Sequence, residues 1–347
     1  MRSIGRKSNH EAQKGRRPSA AAMAAGTIVV VAIATGIGLA AYGYGTNDTT
    51  SPSTSSSNRE SSKGSPDTSS ESSNGAENVQ APASSGGFPT RGSAGLPAGW
   101  QPARQVTGDY WIRQAGTVIE DVRFTDGTIY VDAPNVTLRR IHAVGAIIVN
   151  DYDNVCKNGL LIEDSSFVPS GPTSDAHGQV IGPGGYTARN VLIDGVPEAL
   201  RVSGKSYGCT AVHIENSFIR IAAPDACGDW HGDGIQGYDG PPLVVRQTTL
   251  LMEERPGCYG TAPFFYPSGQ GNTSVDIDGL IVSGGGYSFR NGMPGSVKNL
   301  HVLEDWGYGA VDVNCSVLST WQAQVATLSA AGQPVPVRPI QCSGVGN

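Results

Sequence analysis

Residues 225–240, DACGDWHGDGIQGYDG, gather Asp225, Asp229, Asp233 and Asp239 with a histidine, a tryptophan and a cysteine among glycines. Asp229, His231 and Asp233 recur at every second position, so an extended backbone would turn all three to one face. On such a face His231 can move a proton, and the carboxyls can act as acid, base or cation ligand. Spacing limits that chemistry. At about 3.3 Å per residue Asp229 and Asp233 stand roughly 13 Å apart, beyond the roughly 5 to 9.5 Å that paired glycosidase carboxyls need. A second carboxyl has to come from elsewhere in the chain. The plain alternatives are a turn, because Asp before Gly is a turn pairing, and a surface His231 bonded to Asp229.

A coiled chain would bring that second carboxyl in. A short pattern recurs as VIEDVRF (118–124), LIEDSSF (161–167), LIDGV (192–196), HIENSFI (213–219), VVRQTTL (244–250) and DIDGLIV (276–282), with looser copies at 137–143 and 296–302. Its central apolar residues, Ile119, Leu138, Ile162, Ile193, Ile214, Val245, Ile277 and Val297, lie 19 to 32 residues apart. Each copy alternates apolar and polar residues and then meets Asp, Asn or Gly, which predicts a strand ending in a turn. One such unit cannot bury its apolar face alone, whereas stacked units can. The drifting spacing predicts a parallel β-solenoid rather than a propeller.

A second series aligns behind the first, with Ile181, Leu200, Ile235, Phe265, Phe289 and Val311 as an inward column. This register sets Glu198 one coil from Asp233, about 4.8 Å between backbones. Gln179 and Tyr287 join that column, His177 aligns with His231, and Arg201, Gln236, Tyr266, Arg290 and Asp312 form the next outward column.

With its Val212, Ile214, Asn216 repeat and its HGDGIQ segment, the region from residue 100 to about 315 resembles the right-handed parallel β-helix proteins of the pectate-lyase-like superfamily. The resemblance implies an all-β, single-stranded right-handed parallel β-helix and an exported enzyme that cleaves a polysaccharide; the fold alone does not choose the reaction. The leading expectation is lyase-type β-elimination on a uronic-acid-containing glycan. In it His231, Asp233, Glu198, Arg201 and Arg290 are catalytic, and Trp230, Gln236, Tyr266, His177 and Asp229 bind substrate. A Ca²⁺ held by Glu198 and Asp233 is the one cofactor considered. A glycoside hydrolase using Glu198 and Asp233 as its acid pair is the alternative. A non-catalytic cell-surface protein that binds glycan or mediates adhesion is the third.

The rest of the chain sets the location. Residues 1–18 form a basic N-terminus, and residues 19–45 form an uncharged stretch long enough to cross a bilayer. It reads as a signal-anchor with the basic end inside, or as a cleaved signal peptide. The folded part is then extracellular, on the cell membrane or secreted. Residues 46–95 are Ser/Thr-rich and read as a disordered linker, residues 96–315 as the β-helix, and residues 316–347 as a C-terminal helical and coil cap, with STWQAQVATLSAAG as the helix. The first 17 residues hold six of the 24 basic side chains and one of the 30 acidic ones, so 18 basic and 29 acidic residues remain, a net charge of −11. That surface repels phosphate backbones and argues against nucleic-acid binding. The expected partner is an extracellular polysaccharide, met by a monomer. All six cysteines, Cys156, Cys209, Cys227, Cys258, Cys315 and Cys342, follow the apolar stretch, which suits up to three disulfides, Cys227 with Cys258 among them.

Overall fold

The computed structural model describes residues 86–174 and 178–342. The apolar stretch 19–45, the linker up to residue 85 and His177 lie outside the described residues. Among the described residues helix is confined to three single-turn 3₁₀ segments; the other regular elements are all strands, joined by turns and loops. The strands form a 14-stranded and a 9-stranded sheet, and the chain visits the two in alternation, so each coil adds to both. Pairing is parallel apart from one C-terminal hairpin. This is a β-solenoid-like, all-β architecture.

The repeat seen in the sequence is a bend: strands end at it after Glu163, Arg189 and Glu215, and in the other coils the strand runs on through it. In each coil of the longer sheet one residue adopts the left-handed conformation: Asp121, Arg140, Asp164, Asn190, Asn216, Gln247 and Asn299, at φ between 42° and 56°, with Gly279 filling the same position in its own coil. The residue behind the bend repairs the ladder it interrupts. The hydroxyls of Ser165 and Ser217 accept from the amides of Ile141 and Val191, both at 3.1 Å, and donate to the carbonyls of Glu163 and Glu215. Both serines are fully buried, so an unmet amide there would cost about 1–3 kcal/mol.

Two apolar columns run along this sheet, one on each side of the bend. Before it the register is Ile119, Leu138, Ile162, Ala188, Ile214, Val245, Ile277 and Val297. Ile193, which the sequence pattern placed here, belongs to the second column with Phe124, Ala143, Phe167, Ile219 and Leu250. The small Ala188 took its place and carries too weak an apolar signal to be noticed. In the shorter sheet Ile181, Leu200, Ile235, Phe264, Phe289 and Val311 point inward. Phe264, not Phe265, is the core residue, because two adjacent phenylalanines fit either parity.

Two boundaries differ from expectation. Residues 318–328, expected as the helix of the cap, form a strand on Gly295–Leu303, followed by the antiparallel strand Pro334–Pro339. The open edge of the long sheet offers ladder bonds along the whole segment, and that outweighs helix propensity. Pro334, Pro336 and Pro339 then blunt the outer edge, where proline is tolerated. The second difference lies at the other end: the folded part begins before residue 96. Residues 86–100 run along the outside of the long sheet across the coils. Phe88 exchanges hydrogen bonds with Gln333, Pro89 accepts from Thr249, Arg91 pairs with Asp194 at 2.6 Å, and the Trp100 indole donates to Asp121. Gly95, at φ 88°, lies so close to Ser166 and Leu192 that a Cβ would come within 2.6 Å of each.

Three disulfides, Cys156–Cys209, Cys227–Cys258 and Cys315–Cys342, account for all six cysteines. The expected Cys227–Cys258 bridge joins adjacent coils 31 residues apart, just ahead of the strands that open at Asp233 and Ala262.

The Phe264 and Phe289 rings stack at 4.5 Å with no exposure, in the two coils that follow Asp233. Phe289→Ala is expected to cost about 3–5 kcal/mol in urea unfolding; a loss below about 1 kcal/mol would mean that this column is not packed as described.

Candidate active site

Stacking brings Glu198 and Asp233 together. Leu200 pairs with Ile235, and two residues earlier the Ala199 amide donates to the Asp233 carbonyl. The strands do not present the pair on the outer strip, as the sequence alignment implied. Asp233 has the parity of the inward Ile235 and is 2% exposed, whereas the Glu198 side chain keeps 19% of its surface. One Asp233 oxygen, Oδ1, has no hydrogen-bond partner, and neither does the buried Oε1 of Gln236.

Burial pushes the Asp233 carboxyl well above the usual carboxylate range; the nearby Glu198 charge adds to this, while the Ala262 amide and the Arg201 and Arg290 guanidiniums oppose it. Burial raises Glu198 too, against the pull of Arg201 and His231. Two coupled carboxyls in this setting titrate as a unit and retain a proton at pH values where an exposed pair would be fully ionised.

Arg201 stands 3.6 Å from Glu198 and donates to Gln179. Arg290 makes a two-pronged contact with Asp312, at 2.9 and 3.0 Å, and lies over the rings of Phe265 and Tyr287. Each guanidinium thus already has a carboxylate. The pair of carboxyls, with a proton retained and two guanidiniums nearby, is a poor donor set for the Ca²⁺ considered from the sequence. Among the described residues no group of three or more His, Cys, Asp or Glu is placed to hold a metal ion.

The remaining residues separate. The chain turns at 227–230, with the Trp230 amide bonded to the Cys227 carbonyl, and the strand starts only at Asp233, so Asp229, His231 and Asp233 do not share an extended face. A glycine on either side of His231–Trp230 makes that turn easy. His231 is 67% exposed, its Nε2 3.9 Å from Asp229. Trp230 is buried, and its indole donates to the Pro197 carbonyl, so its ring packs against the core instead of offering a sugar platform. Tyr266 is fully buried and donates to the Pro241 carbonyl; Phe265 takes its place in the outward column, the same one-residue slip as in the core. Gln179 and Tyr287 stand where the sequence columns put them, next to Arg201 and Arg290.

No known protein family, curated protein or solved structure matches this chain.

The raised carboxyl of Asp233 gives a signed pH dependence. A group whose folded pKa lies above its unfolded value stabilises the fold below the unfolded value, near pH 4, and loses that contribution as pH rises through the folded value. Asp233→Asn removes the ionisation while keeping the shape. Its stability relative to the unmodified protein is expected to rise from about pH 4 to pH 8, measured as the difference in urea midpoint; a difference that is flat or falls with pH would contradict a protonated Asp233.

Proposed function

We propose that this protein hydrolyses glycosidic bonds of an extracellular polysaccharide by acid–base chemistry at Glu198, Asp233 and His231. The observation that carries the reading is the buried Asp233 with an oxygen unpartnered, one coil from a carboxyl that reaches solvent. The core gains nothing from such a group; leaving a polar atom buried and unmet costs about 1–3 kcal/mol, the kind of cost carried at working sites.

Glu198 is the member of the pair that substrate can reach. Asp233 lies behind it as a positioning residue, and the shared proton passes from Asp233 to Glu198 when substrate is bound. In the proposed step Glu198 gives a proton to the departing glycosidic oxygen as the bond to the anomeric carbon breaks. Water adds to that carbon, and its proton passes to His231, which is exposed beside the pair. The proton then returns to the carboxyls, and the site is restored.

Hydrolysis is preferred to β-elimination for a stated reason. A lyase must neutralise the uronate carboxylate with a free cation, whereas Arg201 and Arg290 are already engaged by Glu198 and Asp312. The net charge of −11 outside the basic N-terminus also suits a neutral glycan better than a polyuronate. Three disulfides fit an oxidising, extracellular setting, on the membrane or released from it.

Full-length protein incubated with a panel of polysaccharides is expected to release reducing ends without the ultraviolet absorbance of an unsaturated uronide. Glu198→Gln is expected to lower kcat by about 10²–10⁴, and Asp233→Asn to lower it less while displacing the pH optimum. An unsaturated product would establish elimination instead. Full activity in a folded Glu198→Gln protein would overturn the proposal.

A further inference from the structure

The outward column of the short sheet does not stop at the carboxyl pair. Read along the register it is Trp111, Tyr130, Val149, Gly182, Arg201, Gln236, Phe265, Arg290 and Asp312, one residue per coil. Gly182 falls beside Arg201, whose Cβ lies 2.7 Å from where a glycine side chain would begin. At its far end the column carries an aromatic cluster. The Trp111 and Tyr130 rings stack at 4.2 Å, and Tyr152, from the loop after the next strand, stands roughly perpendicular to both at 4.8 and 5.2 Å. Tyr152 is 60% exposed, and the Arg113 guanidinium lies over Trp111 at 4.5 Å.

These rings are not core. Trp111 and Tyr130 stand on the opposite parity to Ile112, Ile129 and Ile148, each at most 3% exposed, which already fill the interior of the same coils, and Tyr152 is exposed in its loop. Three outward aromatics in successive coils form a surface that is apolar in its rings and polar at its hydroxyl and indole rims, the character that suits the faces and edges of a pyranose. Three to four steps of about 4.8 Å put the cluster roughly 14–19 Å from Arg201, along a straight line of coils. The charged side chains of the column are matched in pairs, Arg201 with Glu198 and, beyond the site, Arg290 with Asp312, while the Arg113 guanidinium lies on the Trp111 ring. A line of balanced charge suits an uncharged chain.

We infer that Trp111, Tyr130 and Tyr152 form a remote subsite for a neutral linear polysaccharide lying along the solenoid axis, with the scissile bond at Glu198. The inference rests on the hydrolase reading for the position of the cut, though not for the binding itself. Between the gaps left by Gly182 and the half-buried Val149, the chain would cross from platform to carboxyl pair without climbing over a bulky side chain.

Affinity electrophoresis tests it, with full-length Glu198→Gln protein run in native gels containing hydroxyethylcellulose, arabinoxylan or polygalacturonate. Retardation by at least one of the two neutral polymers is expected. Tyr152→Ala and Trp111→Ala in that background are expected to weaken it about two- to tenfold each, the worth of one aromatic contact, while the exposed Tyr207→Ala, off the sheet, leaves it unchanged. Because Trp111 also packs on Tyr130, the exposed Tyr152→Ala is the decisive variant. Undiminished retardation of a folded Tyr152→Ala protein, retardation by polygalacturonate alone, or no retardation of the parent protein by either neutral polymer would each overturn the subsite. Binding that depends on Tyr152 in a protein that cleaves nothing would uphold the subsite and sink the hydrolase reading.

Discussion

The stack depends on one backbone event repeated along the long sheet, a single residue turned into the left-handed region between its two apolar columns. For a residue with a side chain the conformation costs roughly 1–2 kcal/mol, and asparagine and aspartate pay least because their side chains bond locally. Here two of the bend asparagines also bond to the neighbouring coil: Asn190 donates to Asp164, and Asn299 to Asp278. The bend lets one strand line two walls of the interior, so two apolar columns are buried for the length of each coil. In two coils it also fixes the height on the neighbour, because Ser165 and Ser217 behind it repair the ladder only in register.

That register is what makes a chemical site possible. Glu198 and Asp233 are 35 positions apart in the chain, and nothing local relates them. They meet because the coils that carry them are stacked with Leu200 over Ile235. The same stacking places guanidiniums at the edge and phenylalanine rings in the coils that follow, and it removes Asp233 from water. A carboxyl deprived of water, with another carboxyl as neighbour, keeps its proton where an isolated one would lose it. The reactivity belongs to the stack and to neither residue alone.

Much of the fold was legible because the repeat writes itself in residue types: alternating apolar positions followed by Asp or Asn. The carboxyl pair could be read from the same alignment. Tyr266 could not be placed, since Phe264, Phe265 and Tyr266 are three aromatic residues in a row and periodicity gives no reason to prefer one inward parity. Trp230 was expected to bind substrate because an apolar ring face complements a pyranose, whereas its indole finds the Pro197 carbonyl inside. The segment 318–328 carries helix-forming alanines and glutamines, and only the vacant edge left by Gly295–Leu303 makes it a strand. Phe88, alone in a Ser/Gly-rich stretch, gave no local sign of a partner 245 residues on.

That last contact changes how the stack can come apart. A bare solenoid is a pile of near-neighbour interactions, and its terminal coils are free to fray one at a time. In this chain the segment from Phe88 to Trp100 lies across the pile like a binding along the spine of a book, fastened to the last hairpin at one end and the first coils at the other. A coil at either end cannot loosen without pulling on a thread that is sewn through the middle, at Asp194 and Asn190. Unzipping from the ends is thereby turned toward all-or-none opening, and the carboxyl pair, set among the central coils, inherits the rigidity.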